Sequence, residues 1–233
     1  MFTIKLTYIN NYSDFLENRN DKYALLYADF NVVNYLYETN FNMDTPNIIL
    51  YPDSTAVSSI IRMMGDQKYK KLVSTDLLDE FLHILIISKR KIFFFGNSDE
   101  VLKEMVEKLH YKYPDIIVCG YHNGYDYDNS VISKINKSGA EILFVGLGAS
   151  RQEKWIVENF GLLNCKLIIS CGGWFNLLSG NKKRAPLFVR KLHLEWLYKL
   201  MTEFKNTRER YLIGIPKFFY RVFSKEVVLI IKQ

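Results

Sequence analysis

The chain has 233 residues, nearly half of them apolar, with 16 Tyr, 16 Phe and 3 Trp. That is one domain's worth of sequence with ample core material, and it excludes disordered and collagen-like chains, which lack such aromatic content. The formal charge of +6 is unevenly spread: 181–233 hold 13 basic and 4 acidic side chains, whereas 1–180 hold 18 and 21. A basic end on a near-neutral body suits an anionic partner: nucleic acid, a lipid surface or a phosphorylated ligand.

In chain order, Tyr23–Ala28, Asn47–Pro52, Lys91–Gly96, Ile116–Tyr121, Glu141–Gly148 and Lys166–Gly172 read as strands. Ile92-Phe93-Phe94-Phe95 and Ile142-Leu143-Phe144-Val145 are continuously apolar, as expected of strands covered on both faces. Ser54–Met64, Asp76–Ser88, Ser98–Tyr113, Asn129–Lys137 and Arg151–Asn159 carry helical patterns, and Pro114 stops the third. The alternation predicts an α/β, Rossmann-like fold with a mostly parallel sheet and flanking helices.

Beyond Gly180 the pattern changes. Pro186–Phe204 reads as one helix, and 205–233 as a basic, aromatic-rich helical appendage to a catalytic body of 1–204. Such a tail suits either a membrane surface or a helix pair packed on the body. Cys119, Cys165 and Cys171 lack disulfide or metal spacing and suit a reducing compartment. No apolar run is long enough to span a bilayer, and Met1–Tyr8 is not a signal peptide, so a cytoplasmic protein is expected.

Ligands of open α/β sheets bind beyond the carboxyl ends of the strands, and four such ends carry chemistry. Asp53, just before a helix, is either its N-cap or a catalytic carboxylate. His122 is the one histidine on a candidate site loop, and the Asp126-Tyr127-Asp128 that follows is either a metal-binding acidic pair or a solvated loop with a cap. Gly146 and Gly148 allow backbone N–H groups to approach a phosphate, yet Arg151 replaces the third glycine of a dinucleotide fingerprint. Gly172 and Gly173 permit close approach or simply make a turn, and Lys182, Lys183 and Arg184 follow.

Together these segments resemble the WecG/TagA/CpsF family of bacterial glycosyltransferases. The resemblance runs in order through Pro52-Asp53, Phe95-Gly96-Asn97, Gly120-Tyr121-His122-Asn123-Gly124-Tyr125 and Gly146-Leu147-Gly148-Ala149 with Gln152-Glu153-Lys154-Trp155. It continues through Gly172-Gly173-Trp174-Phe175, Arg184-Ala185-Pro186, Leu194-Glu195-Trp196-Leu197-Tyr198 and 208–211. It implies an inverting transferase at the inner face of the plasma membrane. Such an enzyme moves a sugar from a UDP-sugar to a polyprenyl-diphosphate-linked saccharide for capsule, exopolysaccharide, teichoic acid or common antigen. It implies no cofactor and no metal, no nucleic-acid partner, and a homo-oligomer of two or three copies. A non-catalytic component of a polysaccharide assembly complex is the alternative.

By the same resemblance Asp53 is the general base, and Arg208, Arg210 and Arg221 stabilise the leaving diphosphate. Gly96, Tyr125, Gly146, Gly148, Gln152, Gly172, Gly173 and Asn176 line the nucleotide; His122 and Arg184 meet acceptor or phosphate. Some positions depart from the family pattern. Ser54-Thr55-Ala56 replaces Gly-x-Gly, Asn176 replaces an Asp, and the Thr-x-Asn expected near Leu25–Tyr27 is not kept. These changes cluster where the sugars would bind, and point to a sugar other than N-acetylmannosamine.

Overall fold

A computed structural model of the chain describes residues 1–9, 21–43, 45–65, 78–192 and 194–232. The six expected strands form one sheet. They are β2 (Tyr23–Ala28), β3 (Ile48–Pro52), β4 (Lys91–Gly96), β5 (Ile117–His122), β6 (Ile142–Gly146) and β7 (Leu167–Ser170), preceded in the chain by β1 (Phe2–Thr7). Their order is β3-β2-β7-β6-β4-β5 and every pair is parallel. Alternate residues feed two cores: Phe93, Phe95, Leu143 and Val145 face one, and Ile92, Phe94, Ile142 and Phe144 the other. Burial on both faces is why these strands read as continuous apolar runs. Phe94 stacks on Phe144 at 5.4 Å, and Phe95 meets Trp155 at 4.8 Å; each buried ring contributes about 1.5–3 kcal/mol.

The helices in chain order are α1 (Phe30–Thr39), α2 (Thr55–Met63), α3 (Leu78–Ile87), α4 (Asp99–Lys112), α5 (Ser130–Lys137) and α6 (Arg151–Asn159). There follow α7 (Trp174–Leu178), α8 (Leu187–Lys191), α9 (Glu195–Thr202), α10 (Phe204–Arg208) and α11 (Gly214–Phe223), then β8 (Val227–Lys232). Residues 76 and 77 of the third-strand-to-fourth-strand helix expectation lie outside the described residues. The single helix expected over Pro186–Phe204 is instead two, α8 and α9. The Leu192 and Leu194 N–H groups donate back to Phe188 and Val189 carbonyls at 3.1 and 3.0 Å and close off the first.

Elements that escape the sequence reading include β1, α1, α7 and β8. β1 and β8 pair in parallel, Phe2 opposite Val227 through Thr7 opposite Lys232, and form a two-stranded sheet. The described part of the basic segment, 205–232, packs on the body. Tyr211, Phe218, Val227 and Leu229 are buried in the same core as β2 and α1. Helix α11 lies on α1: Asn34 Nδ2 donates to the Gly214 carbonyl at 2.9 Å, and Lys217 pairs with Glu38 at 2.5 Å. Between α10 and α11, Glu209–Ile213 form a π-helical turn.

The chain moves outward from β2 to β3 at one edge and from β4 to β5 at the other. β6 and β7 then fill the centre. The loops after β2, β3, β4, β6 and β7 thus rim one crevice at the carboxyl edge, where the strand order reverses.

Candidate active site

Asp53 directly follows β3 and is partly buried; its N–H donates to the Ala28 carbonyl at 3.3 Å. The cap of α2 is Ser54, whose hydroxyl accepts from the Val57 N–H at 3.2 Å. Capping therefore falls to the residue after Asp53.

Next to it, β2 delivers Tyr27 and Asp29. The Tyr27 N–H donates to Ser170 Oγ at 3.1 Å, which ties β2 to the end of β7. Burial first, then the negative charges of Glu153 and Asp29, push the Tyr27 phenol well above its ordinary value; Arg210 opposes and Asp53 adds to the rise. Asp29 caps α1: one carboxylate oxygen accepts from the Asn31 and Val32 N–H groups at 2.8 and 2.9 Å. Its other oxygen forms an ion pair with Arg210 of the π-helical turn. The Arg210 guanidinium also lies over the rings of Phe30 and Tyr211, at 5.8 and 5.5 Å. Lys199 of α9 joins this group. Loss of water around its ammonium, then Arg210, lowers its pKa, while Glu195, Asp53 and Glu203 pull it back up. Asp53, Arg210 and Lys199 thus share one electrostatic neighbourhood. Tyr27, Asp29, Lys199 and Glu153 are members that the sequence reading did not select. The quoted Gln152-Glu153-Lys154-Trp155 run contained one of them without assigning it a role.

The loop after β6 is built on buried polar groups. Glu153 and Gln152 are fully buried. Glu153 accepts from the Ser150 N–H at 2.6 Å and from Gln152 Nε2 at 2.7 Å, and Gln152 Oε1 accepts from the Gly172 N–H at 3.3 Å. Gln152 therefore ties the β6 loop to the β7 loop from beneath. Burial pushes the Glu153 carboxyl up to about 7 from its ordinary 4.5, against hydrogen bonds from Gln152 and Ser150 that favour the charged form. The folded chain keeps this proton to near neutrality while the unfolded chain releases it. Its contribution is full below about pH 4.5 and is lost as pH rises through about 7. Glu153→Gln is expected to flatten the decline in unfolding free energy across that window by about 3 kcal/mol. Denaturant titrations at several pH values test this; parallel curves for the two proteins would contradict it.

The glycines divide by what requires them. Gly148 has φ +89, and a Cβ there would meet only Arg151 Nη2 at 3.5 Å, so backbone conformation is the requirement. Gly96 and Gly146 face each other across β4 and β6, and a Cβ on Gly96 would lie 2.8 Å from the Gly146 Cα. The space beside Gly146 is itself filled by the Phe175 ring, at 2.7 Å from a Cβ. Gly172 has φ +48, with the Tyr27 hydroxyl 2.6 Å from where its Cβ would stand. Gly173 precedes α7, and the carbonyl of Asn176 on α7 accepts from the Lys182 N–H at 2.9 Å.

On the β5 loop, His122 Nδ1 is 2.9 Å from the Asn123 carbonyl. Asn123 Oδ1 accepts from the Tyr125 and Asp126 N–H groups, and the Gly124 N–H reaches the Asn97 carbonyl at 2.8 Å. This leaves the Tyr125 side chain 74% exposed beside the crevice. Asp126 and Asp128 are exposed, and Asp128 accepts from the Ser130 N–H at 2.8 Å. Among the described residues, no group of three or more His, Cys, Asp or Glu side chains is arranged to hold a metal ion.

The tail arginines separate. Arg210 reaches the site. Arg208 is exposed on the neighbouring α10. Arg221 is buried at the far end of α1, where it bonds Asn34 Oδ1 and Glu38 Oε1, both at 2.9 Å, and stacks on Tyr37 at 4.6 Å. Glu38 lies about 13 Å along α1 from Asp29, at 1.5 Å per residue, so the structure gives Arg221 partners other than the leaving group the resemblance assigned to it. Arg184 pairs with Glu195 at 3.5 Å, beside the start of α9.

A carboxylate, two cations and glycine-bearing loops at the carboxyl edge of a parallel sheet place this chain among α/β enzymes that bind ligands in that crevice. More particularly, the chain belongs to the WecG/TagA/CpsF family of glycosyl transferases, whose sequence model matches residues 13–229. It is 32% identical over 185 residues to the N-acetylglucosaminyldiphosphoundecaprenol N-acetyl-beta-D-mannosaminyltransferase of Bacillus subtilis (strain 168), covering 79% of this chain and 71% of that one. It is 28% identical over 224 residues to the protein of the same name from Staphylococcus aureus (strain MRSA252), covering 94% and 87%. The expected family, fold and glycosyltransferase class are thus established.

Proposed function

We propose that this glycosyltransferase moves a sugar from a UDP-sugar to a polyprenyl-diphosphate-linked saccharide, with inversion, and that Asp53 is the general base. The observation that carries this reading is the Asp53 carboxylate at the end of β3, with capping left to Ser54, in the electrostatic field of Arg210 and Lys199. The names of the relatives, with their diphosphoundecaprenol acceptor, support the acceptor class. Asp53 takes the proton of the acceptor hydroxyl as that oxygen bonds to the anomeric carbon. The bond from that carbon to the β-phosphate oxygen breaks, and UDP leaves with both electrons. Arg210, Arg208 and Lys199 offset the charge that develops on the departing diphosphate. Tyr125 and the loops at Gly148 and Gly172 surround the base and ribose.

UDP at 100 times its dissociation constant is expected to stabilise the fold by about 2.7 kcal/mol, raising Tm by roughly 5–10 °C. No shift with UDP in thermal unfolding would count against the nucleotide part of this reading.

A diphosphoundecaprenol-type acceptor supports action at the inner face of the plasma membrane. No helix among the described residues is long and apolar enough to cross a membrane. Instead Leu212, Ile213, Tyr220 and Phe223 are each more than half exposed. They form an outward stripe opposite the buried Tyr211 and Phe218, with Lys217 and Lys225 beside it. Such a surface suits anionic lipid. An Ile213→Ser, Phe223→Ser double variant is expected to lose about ten-fold in partitioning to phosphatidylglycerol vesicles; unchanged co-sedimentation would remove this membrane reading.

A further inference from the structure

Asp29 does two things with one buried carboxylate. It is 4% exposed, one oxygen caps α1, and the other holds Arg210 from 181 residues away. Capping alone does not require a charge, because Asn and Ser cap as well as Asp. Among the described residues the ion-pair partner of this buried charge is Arg210, whose side chain remains 41% exposed. A guanidinium has five N–H donors in a fixed fork. Asp29 occupies one end at Nη2, and the rings of Phe30 and Tyr211 fix the plane. Among the described residues the hydrogen bond of Arg210 is to Asp29, which leaves other donors of the fork for a ligand.

We propose that Asp29 is a positioning residue for the transfer, seating the Arg210 guanidinium at the carboxyl edge of the sheet to receive the β-phosphate. This rests on the reading above, in which Arg210 meets the diphosphate. A cation already in place needs no reorganisation when charge develops, which is where such groups act most strongly.

The test compares full-length wild type, Asp29→Asn, Arg210→Gln and the double variant by calorimetric binding of UDP and of UMP, which differ by the β-phosphate alone. Wild type is expected to prefer UDP by about ten-fold or more, and Arg210→Gln to abolish that preference. Asp29→Asn is expected to lose most of it with UMP affinity and Tm nearly unchanged, and the double variant to match Arg210→Gln. If Asp29→Asn keeps the full preference while Arg210→Gln loses it, the positioning role is wrong and the Arg210 reading stands. If Asp29→Asn weakens UDP and UMP equally, its role is structural and the proposal fails. If Arg210→Gln keeps the preference, or wild type binds no UDP, the underlying reading fails and this inference with it. Should the Asn variant not fold, Asp29→Ser, which preserves a capping oxygen, is read in the same way.

Discussion

Asp53→Asn is expected to reduce the rate of sugar transfer by 10²–10⁴-fold, the usual contribution of a positioned general base, with Tm nearly unchanged. The carboxamide keeps the shape of the side chain and cannot take the proton from the acceptor hydroxyl. The backbone bond from the Asp53 N–H to the Ala28 carbonyl does not involve the side chain, and α2 is capped by Ser54. The reciprocal variant sharpens the assignment. Ser54→Ala should cost about 1 kcal/mol of stability and leave turnover within a few-fold of wild type. Steady-state kinetics and thermal melts on the pair separate the roles; full turnover in Asp53→Asn would remove Asp53 as the base.

The second large effect is on stability. Gly96→Ala places a methyl group 2.8 Å from the Gly146 Cα and closer still to its carbonyl, in the middle of the sheet where neither strand can retreat. Its φ of +133 is also one that an L side chain rarely adopts. Overpacking and backbone strain together are expected to cost roughly 3–5 kcal/mol, a large part of the 5–15 kcal/mol available to a domain. Tm should fall by about 10 °C or more. Gly148→Ala is the control: its φ is +89, but the only neighbour within 4 Å is the flexible end of Arg151. It should cost about 1–2 kcal/mol from strain alone. Equal losses at the two positions would show that backbone conformation, not the β4–β6 contact, makes Gly96 necessary.

The strands were legible because burial on both faces leaves an unbroken apolar run, as in Ile92-Phe93-Phe94-Phe95. β1 and β8 were not, because each is completed by a partner at the other end of the chain, and local pattern carries no trace of that pairing. Helix α1 was missed for a related reason. Its Val32, Val33 and three Asn or Thr residues are weak helix formers. The Asp29 cap and the packing of α11 stabilise it from outside. The site shows the same division. Asp53 was legible from its motif at a strand end. Asp29 was not, since its cap depends on the unread α1. The tail arginines are equivalent in sequence; only packing shows that Arg210 faces the N-terminal end of α1 and Arg221 the other. Lys199 was counted as part of a basic segment, whereas α9 brings it near Asp53.

The positive excess of the last quarter of the chain therefore has several destinations. Arg221 and Lys217 hold the segment to Glu38 on α1. Arg210 pairs with Asp29 at the carboxyl edge of the sheet, and Lys182 and Arg184 pair with Glu203 and Glu195.

The most direct test of the central claim is the stereochemistry of transfer. The full-length protein is incubated with a panel of α-linked UDP-sugars, UDP-N-acetylmannosamine included, and a short-chain polyprenyl-diphosphate-N-acetylglucosamine acceptor. UDP release is measured and the new linkage is assigned by NMR. The account predicts acceptor-dependent UDP release with at least one donor and a β-linked product. Release of UDP with an α-linked product, or no transfer from any UDP-sugar, would contradict it.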